Sequence, residues 1–272
     1  MKITCIQCDP IWQDDAANVA LLTRQFANHV IPGQVDVVVL PELFHSGFSM
    51  DTATVGQSRE GVVYQTLSQL ANIYSVTLIA GVALKDKKSR VKPPKNHSES
   101  LEAMPIALNV AFIFSSDGTE QACYIKNYAF SLVDEQRYYQ PDNNQVVFKV
   151  GQTSCSVFIC YDLRFPELFR KVAQQTQVMF VIASWPSARQ THWQALLTAR
   201  AIENQCFVVG VNRIGKDGKG VLYEGGSRIL SPLGETLCVM DERTQVQSYK
   251  IETDEVPVIR RRYPFLQDMK PT

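Results

Sequence analysis

Residues 1–82 alternate strand-length apolar runs with segments of helical period, and few folds accept such a sequence. After a strand-like start, residues 15–30 place Val19, Leu22, Phe26 and Val30 on one helical face. Residues 35–40, VDVVVL, form an apolar run closed by Pro41. A second helical segment carries Val63, Leu67, Leu70 and Tyr74 and leads into another apolar run at 76–82. This βαβαβ order calls for an α/β protein in which helices cover a sheet.

Hairpin strands are expected at 107–114 and 121–125 around Ser116-Asp117-Gly118, and again at 146–150 and 155–159 around Gly151. A helix starting near Pro166, a strand at 178–183, a helix at 190–204 and a strand at 207–212 come next. The last third is strand-rich, punctuated by Gly225-Gly226 and Pro232-Leu233-Gly234. The halves share a loose strand–helix order without a sequence repeat. No linker or compositional shift interrupts the chain, so residues 1–272 are expected to form one domain. Residues 85–104, polar, basic at their start and containing Pro93-Pro94, read as an exposed loop insertion, and 250–272 as a C-terminal extension.

Charge narrows the partners. Lys plus Arg and Asp plus Glu number 27 each, which argues against a nucleic-acid surface or a polybasic membrane patch. No apolar run approaches the roughly 18 residues that span a bilayer, and the N-terminus lacks the apolar core of a signal peptide. A cytoplasmic protein is the expectation. The 7 cysteines are an odd number, as reduced thiols would be. Cys5 and Cys8 form a CxxC in a strand, where residues three apart face opposite sides. None of the 4 histidines has metal-site spacing, so neither a metal nor a cofactor is expected.

Three segments put a reactive side chain at the end of an apolar strand, where open sheets place their sites. Glu42 is the first charge after the run at 35–40. A carboxylate entering a buried edge is suited to general-base work, and equally to accepting a structural hydrogen bond. Cys160 stands between the strand at 155–159 and the helix at Pro166. Backbone N–H groups at such a junction favour a thiolate and can later hold an oxyanion, although a free cysteine is also a common core residue. Lys126 directly follows the strand at 121–125. Its ammonium could stabilise charge on a carbonyl oxygen, or simply lie exposed at an edge. Glu135 could orient Lys126 or be a surface residue.

Together these segments resemble the signature blocks of the nitrilase superfamily of carbon–nitrogen hydrolases, in that family's order of Glu, Lys and Cys. CYDLRFPELFR at 160–170 carries the likeness most specifically, and LPE at 40–42 matches the glutamate block. ARAIEN at 199–204, VNRIG at 211–215 and GGSRILSPLGE at 225–235 extend it over nearly the whole chain. Within the superfamily the sequence is most similar to bacterial ω-amidases, which hydrolyse the side-chain amide of 2-oxoglutaramate and similar 2-oxo acids. PELFHSGFSM at 41–50, SWP at 184–186 and ARAIENQCFVVGVNRIGKDGKG at 199–220 carry that likeness. One departure falls two residues after the lysine, where relatives have a histidine and this chain has Tyr128.

The resemblance implies a four-layer α-β-β-α sandwich that pairs into a homodimer, and a cofactor-free hydrolase of small amides. Cys160 would attack, Glu42 would carry protons, and Lys126 with the backbone N–H of Tyr161 would hold the oxyanion. Glu135 would bond Lys126 or the substrate amide, and a thioester would form. Phe44, Phe48 and Trp185 are the expected pocket walls, Arg164 a carboxylate partner and Tyr128 a hydrogen-bond donor to substrate. Other readings are the same chemistry on a nitrile, a carbamoyl amine or an aliphatic amide, Cys–His catalysis through His45 or His192, and a catalytically silent binding protein that keeps the fold.

Overall fold

The computed structural model describes residues 1–90, 105–243 and 245–270. The chain opens with β1 (Lys2–Ile6), α1 (Asp15–His29), β2 (Val37–Val39), the short α2 (Thr52–Val55), α3 (Val62–Tyr74) and β3 (Thr77–Arg90). Strands β4 (Pro105–Phe114), β5 (Glu120–Ile125), β6 (Val147–Val150) and β7 (Thr153–Ile159) precede α4 (Pro166–Val172), β8 (Val178–Ala183), α5 (Gln190–Asn204) and β9 (Phe207–Asn212). A small hairpin, β10 (Ile214–Lys216) and β11 (Leu222–Glu224), leads to β12 (Arg228–Leu230), β13 (Thr236–Val239), β14 (Val246–Lys250) and α6 (Glu255–Arg262). Local chemistry sets several of these boundaries. The Asp14 carboxylate caps α1 by accepting from Ala17 N at 2.9 Å, and Pro166 begins α4, where its missing N–H costs no helix bond.

Two six-stranded sheets result, ordered β14-β1-β2-β3-β4-β5 and β6-β7-β8-β9-β12-β13. Read in that direction, both pair in one sequence: antiparallel, parallel, parallel, antiparallel, antiparallel. The loose likeness of the halves is therefore a topological repeat. Strand alternation builds the layers. Val37 and Val39 of β2 enter the core shared with the second sheet, while Val38 and, just past the strand, Leu40 face Leu22, Phe26, Leu67 and Leu70 of α1 and α3. Helices α4 and α5 cover the other sheet with Leu168, Phe169, Trp193 and Leu197, completing an α-β-β-α sandwich. Each such side chain, fully buried, contributes roughly 1.5–3 kcal/mol.

The segment at 85–104 departs from expectation at its start. Strand β3 continues to Arg90, with Lys85 opposite Ala107 and Arg90 opposite Pro105 across an irregular register. Ladder bonding is a property of the backbone, so a polar run can extend a hairpin that hydropathy alone would end. The rest of that segment, 91–104, lies outside the described residues. Near the C-terminus, Val256 of α6 and Leu266 are buried in the main core. Among the described residues no helix is long and apolar enough to cross a membrane.

Candidate active site

The carboxyl ends of β2, β5, β7 and β8 converge on one cleft. Past β2, Leu40 N still bonds Ile79 O at 2.8 Å, and the chain then turns sharply at Leu43, whose φ of 49° is left-handed. The turn presses Glu42 against Gly81 of β3, where a Cβ would stand 2.5 Å from Glu42 Cα. Glycine is needed at that contact because the neighbour is backbone. Cys160 opens a 3₁₀ turn, Cys160–Arg164, directly after β7, and also has a left-handed φ, 48°. Strain of this kind in a non-glycine residue persists only where the surroundings impose it. Here Asp162 ties the turn down: its carboxylate accepts from Ile159 N at 3.1 Å, from the Tyr124 hydroxyl at 2.8 Å and from Tyr128 N at 2.8 Å. The cysteine's turn is thus clamped to the strand that carries Lys126.

Glu42 and Glu135 are fully buried and Lys126 is 3% exposed. Lys126 Nζ donates to Glu42 Oε1 at 2.9 Å and to both oxygens of Glu135 at 2.9 Å. Glu135 is held in turn by Phe130 N at 2.6 Å. Glu42 Oε2 accepts from Ser184 N at 2.9 Å, and Cys160 Sγ lies 3.8 Å from Ser184 O. A nucleophile, a carboxylate and an ammonium are therefore within one hydrogen-bonded cluster, the arrangement that acyl transfer requires.

Burial and the Glu42 carboxylate together push the Cys160 thiol well above its ordinary pKa, against the pull of Lys126 and Ser184. The resting side chain is a protonated thiol, so attack on a carbonyl needs a base. Burial by itself would weaken the Lys126 ammonium, but the carboxylates of Glu135 and Glu42 outweigh it and hold the group charged, well above the usual lysine range. Asp162 is pushed up to about 7 by burial, despite Lys126 and its three hydrogen-bond donors.

A cavity of about 320 Å³ opens onto Cys160 and Lys126. Its apolar walls include Phe48, Met50, Phe130, Tyr161, Trp185 and Tyr223. Arg164, Arg189 and Lys219 also line it, and none of the three makes an ion pair among the described residues. Arg164 lies over the Trp185 ring at 4.7 Å. Two expected substrate contacts fall elsewhere. Phe44 is 2% exposed and packs beneath sheet and helix with Leu22 and Phe26, because the turn at Leu43 directs it into the core; Phe48 and Met50 of the same loop line the cavity instead. Tyr128 stacks on Phe165 at 3.6 Å with its hydroxyl 3.3 Å from Glu167, outside the cavity lining.

Neither histidine serves Cys160. His45 directs Nε2 to Val55 O at 3.0 Å and Nδ1 toward Ser46 Oγ at 3.2 Å, and burial lowers its pKa to about 4, so it is neutral. His192 sits beside Arg164 at 3.4 Å. Among the described residues no group of three or more His, Cys, Asp or Glu side chains is arranged to hold a metal.

Sequence reasoning missed Asn109, Asp162, Arg189, Lys219 and Tyr223. Asn109 left a signal: it is the one polar residue in the run ALNVAFIF, and a buried amide needs partners. Its Nδ2 donates to Glu42 Oε1 at 2.8 Å and to Glu135 Oε1 at 3.1 Å. The two cations left no signal, since an isolated Arg or Lys in a polar loop looks like any surface charge.

Known proteins match along nearly the whole chain. Residues 2–261 match the sequence model of a family described as carbon-nitrogen hydrolase. Omega-amidase YafV of Escherichia coli (strain K12) is 33% identical over 270 residues, covering 98% of this chain and 96% of that protein. A 2-oxoglutaramate amidase of Bacillus subtilis (strain 168) is 29% identical over 270 residues, covering 98% and 97%. Among solved structures, XC1258 from Xanthomonas campestris, described as a CN-hydrolase superfamily protein with an arsenic adduct in the active site, superposes with a TM-score of 0.89. It is 27% identical and covers 100% of this chain and 98% of its own.

Proposed function

The chain belongs to the carbon-nitrogen hydrolase family and is an amide-hydrolysing enzyme, and from that premise we propose that it cleaves the side-chain amide of a small 2-oxo acid, 2-oxoglutaramate or 2-oxosuccinamate, through a Cys160 thioester. The observation that carries this reading is the trio Arg164, Arg189 and Lys219, which line the same cavity as Cys160 without ion-pair partners among the described residues. With the thiol protonated, Glu42, Glu135 and Lys126 sum to one negative formal charge, and Asp217, which also lines the cavity, adds a second. A substrate carboxylate placed nearby is repelled unless cations offset it, and guanidinium groups bind carboxylates in a bidentate fashion. The name of the B. subtilis relative, 2-oxoglutaramate amidase, supports the same substrate class, and that of the E. coli relative, omega-amidase, supports the reaction.

Glu42 accepts the thiol proton as the sulfur electron pair forms the C–S bond and the carbonyl π pair moves onto oxygen. Lys126 has three hydrogens and three carboxylate acceptors, Glu42 Oε1 and the two Glu135 oxygens; letting the Glu135 oxygens share one hydrogen releases another to the oxyanion. The backbone N–H of Tyr161 is the second oxyanion donor. Collapse breaks the C–N bond, and Glu42 returns the proton to nitrogen, so ammonia leaves and a thioester remains. Glu42 then takes a proton from water as the water oxygen attacks the thioester carbon. The departing sulfur recovers that proton, which frees the acid and regenerates the resting thiol.

The test is ammonia release from 2-oxoglutaramate, compared with glutamine, an N-carbamoyl amine and a simple nitrile, with Cys160→Ala as control. A kcat/KM highest on the oxo-acid amide, and no release from the control, is expected. Preference for the nitrile or the carbamoyl amine would move the substrate elsewhere in the superfamily.

A further inference from the structure

We propose that Asn109 is a positioning residue for this reaction, one that occupies Glu42 Oε1 and so leaves Glu42 Oε2 as the oxygen that receives the Cys160 proton. The proposal rests on the roles given above to Glu42 and Cys160.

Four groups close a ring. Glu42 Oε1 accepts from Lys126 Nζ at 2.9 Å and from Asn109 Nδ2 at 2.8 Å, and Glu135 Oε1 accepts from the same two nitrogens at 2.9 and 3.1 Å. A carboxylate oxygen has two lone pairs in its plane. Those of Glu42 Oε1 are both in use, whereas among the described residues Oε2 has one partner, Ser184 N at 2.9 Å, and one lone pair left. The same serine touches the thiol. Cys160 Sγ rests 3.8 Å from Ser184 O, so the residue that fills half of Oε2 also seats the thiol.

Asn109 suits the post better than a charged or apolar residue. It is 1% exposed on β4, opposite Ala83 of β3, and among the described residues its Oδ1 has no hydrogen-bond partner. The side chain is therefore oriented through its NH₂ alone, each hydrogen serving one carboxylate; turned over, Oδ1 would face two anions. A neutral donor offsets the repulsion between Glu42 and Glu135 without adding charge, and Lys126 can keep a hydrogen for the substrate. An aspartate would add a third carboxylate, and an alanine would give Oε1 a free lone pair that competes with Oε2 for the proton.

The charged and titratable groups facing Glu42 are Lys126 from the end of β5, Glu135 from its 3₁₀ turn, Cys160 from the turn after β7, and Tyr139. Removing the Asn109 donor takes one hydrogen bond from Glu42 Oε1, so the step that uses Oε2 as the base slows. The experiment is the pH dependence of kcat and KM for Asn109→Ala and for Asn109→Asp, which keeps the shape, with the folded fraction measured by circular dichroism. Glu42→Gln and Cys160→Ala serve as controls.

Asn109→Ala is expected to lose about 10- to 100-fold in kcat with little change in KM, the worth of one hydrogen bond to a charged group. Asn109→Asp is expected to lose activity further as pH rises. Unchanged kcat and KM per folded enzyme at every pH in both variants, while Glu42→Gln is inactive, would overturn the proposal and leave Asn109 a purely structural residue. An active Glu42→Gln would overturn the underlying assignment of the base instead.

Discussion

Lys126 Nζ donates to Glu42 Oε1 at 2.9 Å across 84 residues of sequence, and both groups are cut off from solvent. A buried charge that loses its partner is costly, typically about 3–5 kcal/mol. Lys126→Met leaves Glu42 and Glu135 facing each other with no counter-charge. The variant should unfold at lower urea, and its kcat should fall by about 10²–10³, the usual effect of losing one oxyanion donor. Adding Glu135→Gln should restore part of the stability and none of the rate. A double variant with restored kcat would show that Lys126 only neutralises its neighbours.

The cavity cations Arg164, Arg189 and Lys219, which make no ion pair among the described residues, predict a split between binding and chemistry. Arg164→Ala, Arg189→Ala and Lys219→Ala should each raise KM for the oxo-acid amide, by about 10- to 100-fold where the contact is a charge-assisted hydrogen bond. Turnover should be nearly unchanged, since such contacts bind ground and transition states alike. The neutral analogue without a carboxylate should respond to none of the three. Equal effects on both substrates would place these residues outside carboxylate recognition.

Gly81 predicts sensitivity at a distance from any reacting atom. The Cβ of Gly81→Ala would meet Glu42 Cα at 2.5 Å, Pro41 O at 2.6 Å and Leu43 N at 2.7 Å, and a backbone neighbour has no rotamer with which to yield. The loop must shift. Overpacking of this kind costs about 1–3 kcal/mol, and a displacement of about 1 Å at a catalytic group can cost about 10² in rate. Thermal melting and kcat measure the two effects separately. A variant of normal kcat would mean that the Glu42 loop adapts without consequence.

Asp162 predicts a pH dependence of stability. Burial raises its carboxyl from 3.8 to about 7, so the folded chain binds a proton that the unfolded chain has released across this interval. The corresponding contribution to stability is present below the unfolded value and is lost as pH rises through about 7. Urea unfolding of the wild type should show this downward slope between about pH 4 and 7, and Asp162→Asn should lack it. The substitution also loses an acceptor for Ile159 N or the Tyr124 hydroxyl, so its stability should be lower at acid pH. Parallel curves for the two proteins would remove Asp162 as the source of the slope.

Much of the architecture was legible because a strand–helix alternation leaves periods that need no partner to be recognised. Helix α5 begins and ends where its apolar spacing does, and the hairpins around Gly118 and Gly151 fall where turn residues break the apolar runs. The extension of β3 to Arg90 was not legible, since its residues are polar and ladder bonds carry no hydropathy signal. The pairing of the halves into sheets of one common order was also hidden. It repeats in topology without repeating in sequence.

At the site, the sequence by itself determined which reactive groups stand at strand ends. Glu42, Lys126 and Cys160 each close an apolar run, and an apolar run in a sheet of this kind delivers its next polar residue to the sheet edge. Tertiary structure alone decided the surroundings of these groups. A left-handed Leu43 sends Phe44 to the core, and Phe48, four residues on, lines the cavity. Tyr128 is drawn away by the stacking face of Phe165. Asn109 reaches two carboxylates brought from opposite directions along the chain. Strand ends are set by local periodicity, whereas the direction of a loop side chain depends on surfaces contributed by remote segments, and those exist only once the sheets have packed.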